Sequence, residues 1–374
     1  MKSRLPLISA WVGRGNFGDE LLGYGLRLEL YRMAAIERLC YHEAGDQPIY
    51  RALDDVAIDV MQHVRDGRLR RWLASFRLQR AAHDTIFFGG GSVLHSEHSI
   101  RWKHALLKRF RNSAGAGKGL AAGVGLSLGP FANRAAEQRV RDFIADLDLL
   151  ICRDASSAAF ARSLATPTAI VDGRDLAYGV RCHHPEIFRP SLPRTRVGVS
   201  FILNPSLDGG RQAAHLSRMQ AIVDLLTDGG HEVLLIALYT AGKYFDDRLA
   251  DRLQASARHP ERVAVHHYRG DVVQTSGCIA SCTHLISMRL HGAVTAYLAG
   301  VPVLTLNRHP KVVEFARESG VARQEDAVDI DSPMEDIRGR IDALLALPPQ
   351  GPVCVPADDM RYGNSIEQLR TLIE

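Results

Sequence analysis

Short apolar runs alternate with longer amphipathic runs along almost the whole chain. This alternation is typical of β-α units that stack around parallel sheets. In the first half, the apolar runs predict strands at residues 5–12, 85–88, 119–125, 149–152 and 168–171. Amphipathic runs between them predict helices, notably at residues 20–33, 133–146 and 156–164.

A second alternating series follows residues 181–196, a segment with three prolines and no periodicity that we interpret as a linker. Its predicted strands are residues 196–203, 232–238, 263–267, 285–287 and 302–306, and its clearest helices are residues 212–227 and 292–299. The pattern therefore predicts two Rossmann-like α/β/α domains, residues 1–185 and 195–347, and a tail at 348–374 with a helix at 365–373. Ligands bind at the carboxyl ends of strands in such sheets, so we expect an active site in the interdomain cleft.

Composition narrows the class of protein. The 374 residues are 46% hydrophobic and 24% charged, which is the balance of an ordinary globular protein. No stretch approaches the ~20 consecutive apolar residues that span a bilayer, and the amino terminus lacks a secretory pattern. We therefore expect a protein that is neither secreted nor transmembrane. The 46 basic and 42 acidic residues are too evenly mixed to indicate a nucleic-acid-binding protein.

Two residue types leave further questions. Only six of the basic residues are lysines, and this arginine surplus fits either phosphate recognition or the coding bias of a GC-rich genome. Of the six cysteines only Cys278 and Cys282 are close, within an apolar run that predicts a helix. We expect no disulfide framework and no structural zinc. No cluster of histidines and carboxylates has the spacing of metal ligands, so no metal is expected.

The first candidate motif, GRGNFGDE at residues 13–20, follows the first predicted strand. Its glycines allow a tight turn and close approach to a ligand, and the helix start offers backbone amides to an anion or hydroxyl. The spacing formally matches a dinucleotide fingerprint, but Glu43 is the only acidic candidate for the ribose. Two interpretations stay open: Asn16 and Asp19 cap the helix, or they contact a ligand.

Three further strand ends carry candidate residues. Gly89, Gly90 and Gly91 close the strand that ends at Phe88, where they either cradle a ligand or only make a turn. Arg153 lies beside Asp154, and a salt bridge that holds the loop is the default interpretation. Asp172 ends another strand, where its default role is to cap or turn.

The most informative motif is SMRLHG at residues 287–292, between an apolar strand and a helical run. Arg289 and His291 stand two residues apart at the carboxyl end of the strand, facing a helix amino terminus. This pattern predicts an anion site with an attached proton donor. The next predicted strand leads to Arg308 and Lys311.

Together these residues resemble the polysaccharide pyruvyl transferase family. They occur in the family's order across roughly residues 8–320. The resemblance rests on Gly15-Asn16-Phe17-Gly18-Asp19, Phe88-Gly89-Gly90-Gly91, Arg153-Asp154 with Ser157, Asp172, and Ser287-Met288-Arg289-Leu290-His291-Gly292 followed by Gly300-Val301-Pro302 and Lys311.

The resemblance implies a two-domain fold of the glycosyltransferase B type, with the active site in the interdomain cleft. It also implies phosphoenolpyruvate as donor, without a separate cofactor, and a saccharide acceptor with two suitably placed hydroxyls. The products would be a cyclic pyruvate ketal and inorganic phosphate. Such a bacterial enzyme would act in the cytoplasm on exopolysaccharide or another cell-surface polysaccharide.

By the same resemblance, the donor side comprises Arg289, Leu290, His291, Lys311 and Arg308. Arg289 would bind the phosphate or carboxylate of the donor, and His291 would bind the donor and act as general acid. Lys311 and Arg308 would add positive charge from the next loop, with Lys311 the better match to the family.

On the acceptor side, Asp19 is the hypothesised base or hydroxyl ligand, and Asn16 would orient the acceptor. The family pattern adds further substrate-binding candidates, of which the glycines would line the cleft: Gly15, Gly89, Gly90, Gly91, Arg153 and Asp172.

Two stretches, residues 65–80 and 101–111, mix basic residues with the aromatic residues Trp72, Phe76, Trp102 and Phe110. This mixture fits an anionic membrane surface or a diphosphate-linked lipid carrier. It equally fits a solvated helix face with a few buried anchors. The first interpretation leads to the hypothesis of a cytoplasmic enzyme, peripheral to the inner membrane, that modifies a lipid-linked acceptor.

Two rival functions remain open. A nucleotide-sugar-dependent glycosyltransferase of the same fold type would also place basic residues and glycine-rich loops in its cleft, and Glu314 is a candidate for its ribose-binding residue. A noncatalytic carbohydrate-binding protein that kept the fold is the other, although the presence of Arg289 and His291 argues against it.

Overall fold

The computed structural model describes residues 5–33, 38–49, 57–63, 65–67, 83–94, 96–113, 119–131, 133–188, 195–241, 245–307, 309–321, 327–349 and 356–374. The chain forms two compact units. The first comprises Met1–Arg14, Asp19–His183 and Val355–Glu374, and the second comprises Gly15–Gly18 and His184–Cys354. Four residues near the amino terminus therefore group with the second half of the chain.

The first unit contains a parallel sheet in the order β3-β2-β1-β4-β5-β6-β7. Its strands are β1 Leu7–Ser9, β2 Arg38–Ala44, β3 Ala57–His63, β4 Thr85–Leu94, β5 Leu120–Leu128, β6 Leu149–Cys152 and β7 Ala169–Asp172. Its helices up to the linker are α1 Phe17–Met33, α2 Glu97–Ser113, α3 Arg134–Ala145, α4 Ala155–Ser163 and α5 Ala177–His183.

Both faces of the central strands of this sheet are buried, which is why these strands are apolar runs rather than alternating ones. On β1, Leu7 packs into a cluster with Ile86 and Phe88, whereas Ile8 packs into a cluster on the other face with Phe87. Successive strand residues point to opposite faces, so β1 and β4 each supply both clusters. Fully burying side chains of this size contributes about 1.5–3 kcal/mol each.

The second unit contains a parallel sheet in the order β10-β9-β8-β11-β12. Its strands are β8 Arg196–Ser200, β9 Glu232–Ala237, β10 Val263–His267, β11 Cys282–Ser287 and β12 Val303–Thr305. Its helices are α6 Gly209–Asp228, α7 Asp246–Ser256, α8 Val272–Ala280, α9 Leu290–Leu298, α10 Pro310–Glu318 and α11 Met334–Leu345. Both units thus have the predicted α/β class with parallel strands.

A last helix, α12 (Pro356–Ile373), groups with the first unit, although the sequence pattern set residues 348–374 apart as a tail. Hydrogen bonds and an ion pair attach α12 to the first unit. Asp358 accepts from Nε of Arg174 at 2.7 Å, and the hydroxyl of Tyr362 donates to Glu29 at 2.7 Å. Arg361 pairs with Asp172 at the end of β7.

Several elements differ from the sequence-based prediction. β3 was not predicted, because its residues AIDVMQH mix polar and apolar side chains at a sheet edge. The prediction that Cys278 and Cys282 share a helix is wrong, since Cys278 lies in α8 whereas Cys282 begins β11. β4 continues through Gly89–Gly91 instead of ending at Phe88. In the described part of the chain, no helix is long and apolar enough to cross a membrane.

Candidate active site

The junction of β11 and α9 is held by a short local network. The Ser287 hydroxyl donates to the carbonyl of Arg289 at 2.8 Å and accepts from the Arg289 amide at 3.2 Å. A Cβ at Gly292 would lie 2.6 Å from this hydroxyl oxygen. The glycine is therefore needed where α9 begins, because any larger residue would displace the serine that orients Arg289.

Arg289 is bound to a carboxylate that the sequence did not single out. Its Nε and Nη2 donate to Asp246 at 2.9 and 2.5 Å, and its Cζ lies 5.4 Å from the ring centroid of Tyr239. Only 2% of the Asp246 side chain and 15% of the Arg289 side chain are exposed. Burial raises the pKa of the Asp246 carboxyl, and the Arg289 guanidinium opposes that shift. The pair fixes the plane of the guanidinium.

The loop after β9 places Asp246 at the first position of α7. The Tyr239 amide donates to its Oδ2 at 3.0 Å, and the Asp246 amide donates to the Tyr239 carbonyl at 2.9 Å. Phe245, just before it, has a φ of 46°, which is the left-handed region that a large side chain rarely adopts. Strain of this kind is typical of loops that hold a functional group.

The glycine motif of the amino terminus lies at the same edge of the second sheet. The Phe17 amide donates to the carbonyl of Leu238 at 2.9 Å, and the Thr240 amide donates to that of Gly15 at 3.0 Å. The Phe17 ring meets the ring of Tyr268 edge to face, with centroids 5.7 Å apart. These bonds explain why residues 15–18 group with the second unit.

This arrangement brings the glycine motif against His291. A Cβ at Gly18 would overlap Nδ1 of the imidazole and lie 2.7 Å from its Cγ. Gly15 has a φ of 66°, and a Cβ there would lie 2.7 Å from that of Ala241. Asn16 Oδ1 accepts from the Gly18 amide at 3.2 Å, so the capping interpretation holds for Asn16. Two motifs from opposite ends of the chain therefore form one cluster within the second unit.

The remaining candidates named from the sequence lie at four different places. Leu290 is buried at the start of α9. Lys311 is exposed in the first turn of α10, whose N-cap is His309. Arg308 lies outside the described residues. Asp19 groups with the first unit and is half-buried in the first turn of α1.

The glycine run of β4 packs against α1. A Cβ at Gly89 would lie 2.5 Å from Cδ2 of Leu26, and one at Gly90, whose φ is 64°, would lie 2.7 Å from Cβ of Leu22. Gly91 pairs with Leu126 of β5. The run therefore serves close packing of a helix on a strand rather than a terminal turn, and ligand binding by these glycines stays a prediction.

Arg153 and Asp154 belong to a buried network in the first unit. Arg153 donates to the Ser127 hydroxyl at 2.5 Å, and that hydroxyl donates to Asp154 at 2.6 Å. Asp154 also caps α4 by accepting from the Ser157 amide at 2.8 Å. Burial acts to raise its pKa, but the bonds from Ser127 and Ser157 prevail and lower it. Arg153 is paired structurally, and substrate binding by Arg153 or Asp172 stays a prediction.

The two basic and aromatic stretches are described only in part, because residues 68–82 lie outside the described residues. The second stretch belongs to α2, where Phe110 and Lys103 are buried and Trp102 packs against the core. The interpretation as a helix face with buried anchors therefore holds for α2. Its aromatic side chains serve the core, and contact of this stretch with a membrane stays a prediction.

No metal-ligand cluster of three or more histidines, cysteines or carboxylates occurs in the described ranges. Among the five cysteines that those ranges include, none forms a disulfide with another. The cluster around Arg289 and His291 offers a guanidinium held by a carboxylate, an imidazole and backbone amides.

A family model described as polysaccharide pyruvyl transferase matches residues 16–310. The chain belongs to the polysaccharide pyruvyl transferase family. The matched range begins at Asn16 and includes Arg289 and His291, so it covers the first motif from Asn16 onward and the whole of the second. No curated protein matches the chain in sequence.

Solved structures share the fold at low sequence identity. UDP-GlcNAc 2-epimerase from Neisseria meningitidis, bound to UDP-GlcNAc, is 12% identical with a TM-score of 0.61, over 98% of this chain and 99% of that one. UDP-GlcNAc 2-epimerase from Methanocaldococcus jannaschii, in complex with UDP-GlcNAc and UDP, is 10% identical with a TM-score of 0.62, over 99% of each chain. These similarities confirm the glycosyltransferase B type of fold and carry no statement about substrate.

Proposed function

We propose that this transferase moves the pyruvate moiety of phosphoenolpyruvate onto a saccharide as a cyclic ketal. The observation that carries the proposal is the contact of the Gly15–Gly18 segment with His291, beside the Arg289–Asp246 pair. A fixed cation two residues from an imidazole suits a small donor that carries both a phosphate and a carboxylate.

Arg289 would bind an anionic group of the donor. Asp246 holds the guanidinium plane in place before the donor arrives, which lowers the cost of ordering the side chain on binding. Lys311, exposed at the start of α10, would contribute a second positive charge. Asp246 is in this scheme a positioning residue rather than a catalytic one.

His291 would act as general acid, since histidine is the side chain that exchanges protons near neutral pH. It would protonate the methylene carbon of the donor, and the adjacent carbon then becomes an oxocarbenium-like centre. One acceptor hydroxyl attacks this carbon, and a second displaces the phosphate. Two carbon–oxygen bonds form and the bond to phosphate breaks; of the two hydroxyl protons, the first goes to the base and the second leaves with the phosphate, while exchange with solvent returns a proton to His291 and removes one from the base. Asp19 would take the first of these protons, while Asn16 orients the acceptor.

Direct calorimetric titration with phosphoenolpyruvate tests the donor assignment. Arg289→Gln keeps an amide donor for Asp246, so it is the variant of choice, with Arg252→Gln on the exposed side of α7 as the matched control. Loss of the charge-assisted bond should weaken binding by about 2–3 kcal/mol, and the control should bind like the wild type. Binding of a nucleotide sugar but not of phosphoenolpyruvate would contradict the proposal and favour a glycosyltransferase.

A further inference from the structure

The first unit buries a charged side chain that the proposed reaction does not use. Lys103 lies on α2 with 3% of its surface exposed, and its ammonium donates to the Ser99 hydroxyl at 2.8 Å. Trp102 lies beside it, with the ammonium nitrogen 5.6 Å from the ring centroid. A neutral hydroxyl and a ring face compensate little of the cost of removing an ammonium from water.

The charges that act on Lys103 lie at the carboxyl edge of the first sheet. Glu43, near the end of β2, attracts it, whereas Arg14, which follows β1, repels it. Glu43 is already engaged, because it accepts from Arg14 at 2.6 Å and from Gln62 at 3.1 Å. Lys103 thus shares its attracting carboxylate with an arginine that repels it. Burial lowers its pKa to about 8, and Arg14 adds to the shift.

An exposed aromatic ring stands at the same edge. Trp11 is 44% exposed, and the guanidinium carbon of Arg14 lies 4.3 Å from its ring centroid. The ring lies directly after β1, so it shares the carboxyl edge with Lys103, Arg14 and Glu43. An exposed indole with a polar rim is typical of surfaces that bind a partly apolar ring, such as that of a sugar.

We propose that Lys103 and Arg14 form a binding site for a phosphate group carried by the saccharide acceptor, with Trp11 against the sugar. The assignment of the ligand as an acceptor rests on the proposed function, whereas phosphate binding at this edge does not. An ammonium and a guanidinium at the same sheet edge favour phosphate over a single carboxylate, because a phosphate has three oxygens to share between them. Ligands of open α/β sheets bind at this edge.

NMR spectroscopy of the lysine side chains tests this site, since the chain contains only six lysines. Protein labelled with carbon-13 at the lysine ε position is titrated with inorganic pyrophosphate. The resonance that disappears in the Lys103→Arg variant is the one that belongs to Lys103. We expect pyrophosphate to shift the Lys103 signal and to raise its pKa, because the anion stabilises the charged form. Phosphoenolpyruvate should shift the Lys311 signal at lower concentrations than the Lys103 signal, so failure of the donor assignment and failure of this site are distinguishable.

Lys103→Met separates a binding role from a structural one. The variant should lose at least tenfold in pyrophosphate affinity without a lower melting temperature, because methionine fills the space without a buried charge. Lys108→Met, on the exposed face of the same helix, is the matched control and should bind like the wild type. Trp11→Ala should weaken binding of a sugar phosphate more than that of pyrophosphate.

Two ligands then distinguish the carrier. Uridine diphosphate and geranyl diphosphate present the same diphosphate on a nucleoside or a prenyl chain, and tighter binding of either one relative to pyrophosphate supports the site and identifies its carrier. A Lys103 signal that responds to none of these anions at millimolar concentration would overturn the proposal. So would a Lys103→Met variant that melts earlier and binds pyrophosphate as tightly as the wild type.

Discussion

The two sheets each present a cation at their carboxyl edge, but they compensate it differently. Arg289 in the second unit has a buried carboxylate that holds it through two bonds, whereas Lys103 in the first unit has a hydroxyl and a glutamate already shared with Arg14. A matched pair fixes geometry, and the attraction between its charges offsets part of the cost of burying them. An unmatched buried cation lowers stability, which is typical of groups retained for binding. Removing the carboxylate that pairs with Arg289 should therefore lower the free energy of unfolding, whereas removing the charge of Lys103 should raise it.

The largest effect is expected when the matched pair is broken. Asp246→Ala leaves the Arg289 guanidinium partly buried without its carboxylate, so the free energy of unfolding should fall by about 3–5 kcal/mol. Urea denaturation measures this change. The matched control is Asp251→Ala on the same helix, whose exposed carboxylate pairs with His267 and should contribute at most about 1 kcal/mol. Equal destabilisation by the two variants would mean that the buried Asp246–Arg289 pair contributes no more to stability than an exposed pair.

Removing the charge of Lys103, the unmatched cation, should increase stability instead of lowering it. Lys103→Met should raise the free energy of unfolding near neutral pH by an amount on the order of 3 kcal/mol. The native pKa is about 8 and the ordinary value 10.5, so the native state loses its proton first and the wild type gains stability as pH rises through this range. The advantage of the variant should therefore be complete below pH 8 and shrink above it. Denaturation at several pH values checks this, and a constant difference would contradict it.

Gly18→Ala tests whether the glycine motif shapes the site around His291. The added methyl overlaps the imidazole, so the ring must turn away. We expect a loss of about 1–3 kcal/mol in stability and a larger loss in turnover than in donor affinity. Gly277→Ala on α8, where a methyl meets open space, should instead stabilise by up to about 1 kcal/mol. Unchanged turnover in Gly18→Ala would show that the contact between Gly18 and His291 does not shape the site.

The smallest effect concerns Glu43, the only carboxylate that acts on Lys103 in the described residues. Glu43→Gln removes an attraction, so the pKa of Lys103 should fall further below its ordinary value, while stability changes by no more than about 1 kcal/mol. Lysine carbon-13 spectra recorded against pH measure the shift. A raised pKa would show that Glu43 does not face the ammonium.

Much of the fold follows from the sequence because buried parallel strands are continuous apolar runs. Regions such as residues 149–152 and 263–267 match their strands in full. The edge strand β3 was missed because its polar side chains hide that pattern. The cluster of Arg289 with His291 was foreseen from spacing within one motif, whereas Asp246 was not, since no local pattern links it to an arginine 43 residues away.

Other features depend on packing that no sequence pattern encodes. Lys103 lies in a basic stretch that suggests a solvent-exposed face, yet the turn of α2 directs its side chain inward. Residues 15–18 group with the second unit because their backbone bonds go to the loop after β9. Hydrogen bonds between distant backbone groups leave no signature in side-chain type, so this contact could not be predicted.

The proposed reaction transfers pyruvate from phosphoenolpyruvate to a saccharide. The most direct measurement supplies phosphoenolpyruvate labelled with carbon-13 at the carbon that bears the phosphate, together with the saccharide precursors of the cells that make the protein. Wild-type protein should convert the label into a ketal carbon and release phosphate in equal amounts, and His291→Ala should do so at least a hundredfold more slowly. Phosphate release without ketal, or ketal formation at the wild-type rate by His291→Ala, would contradict the account.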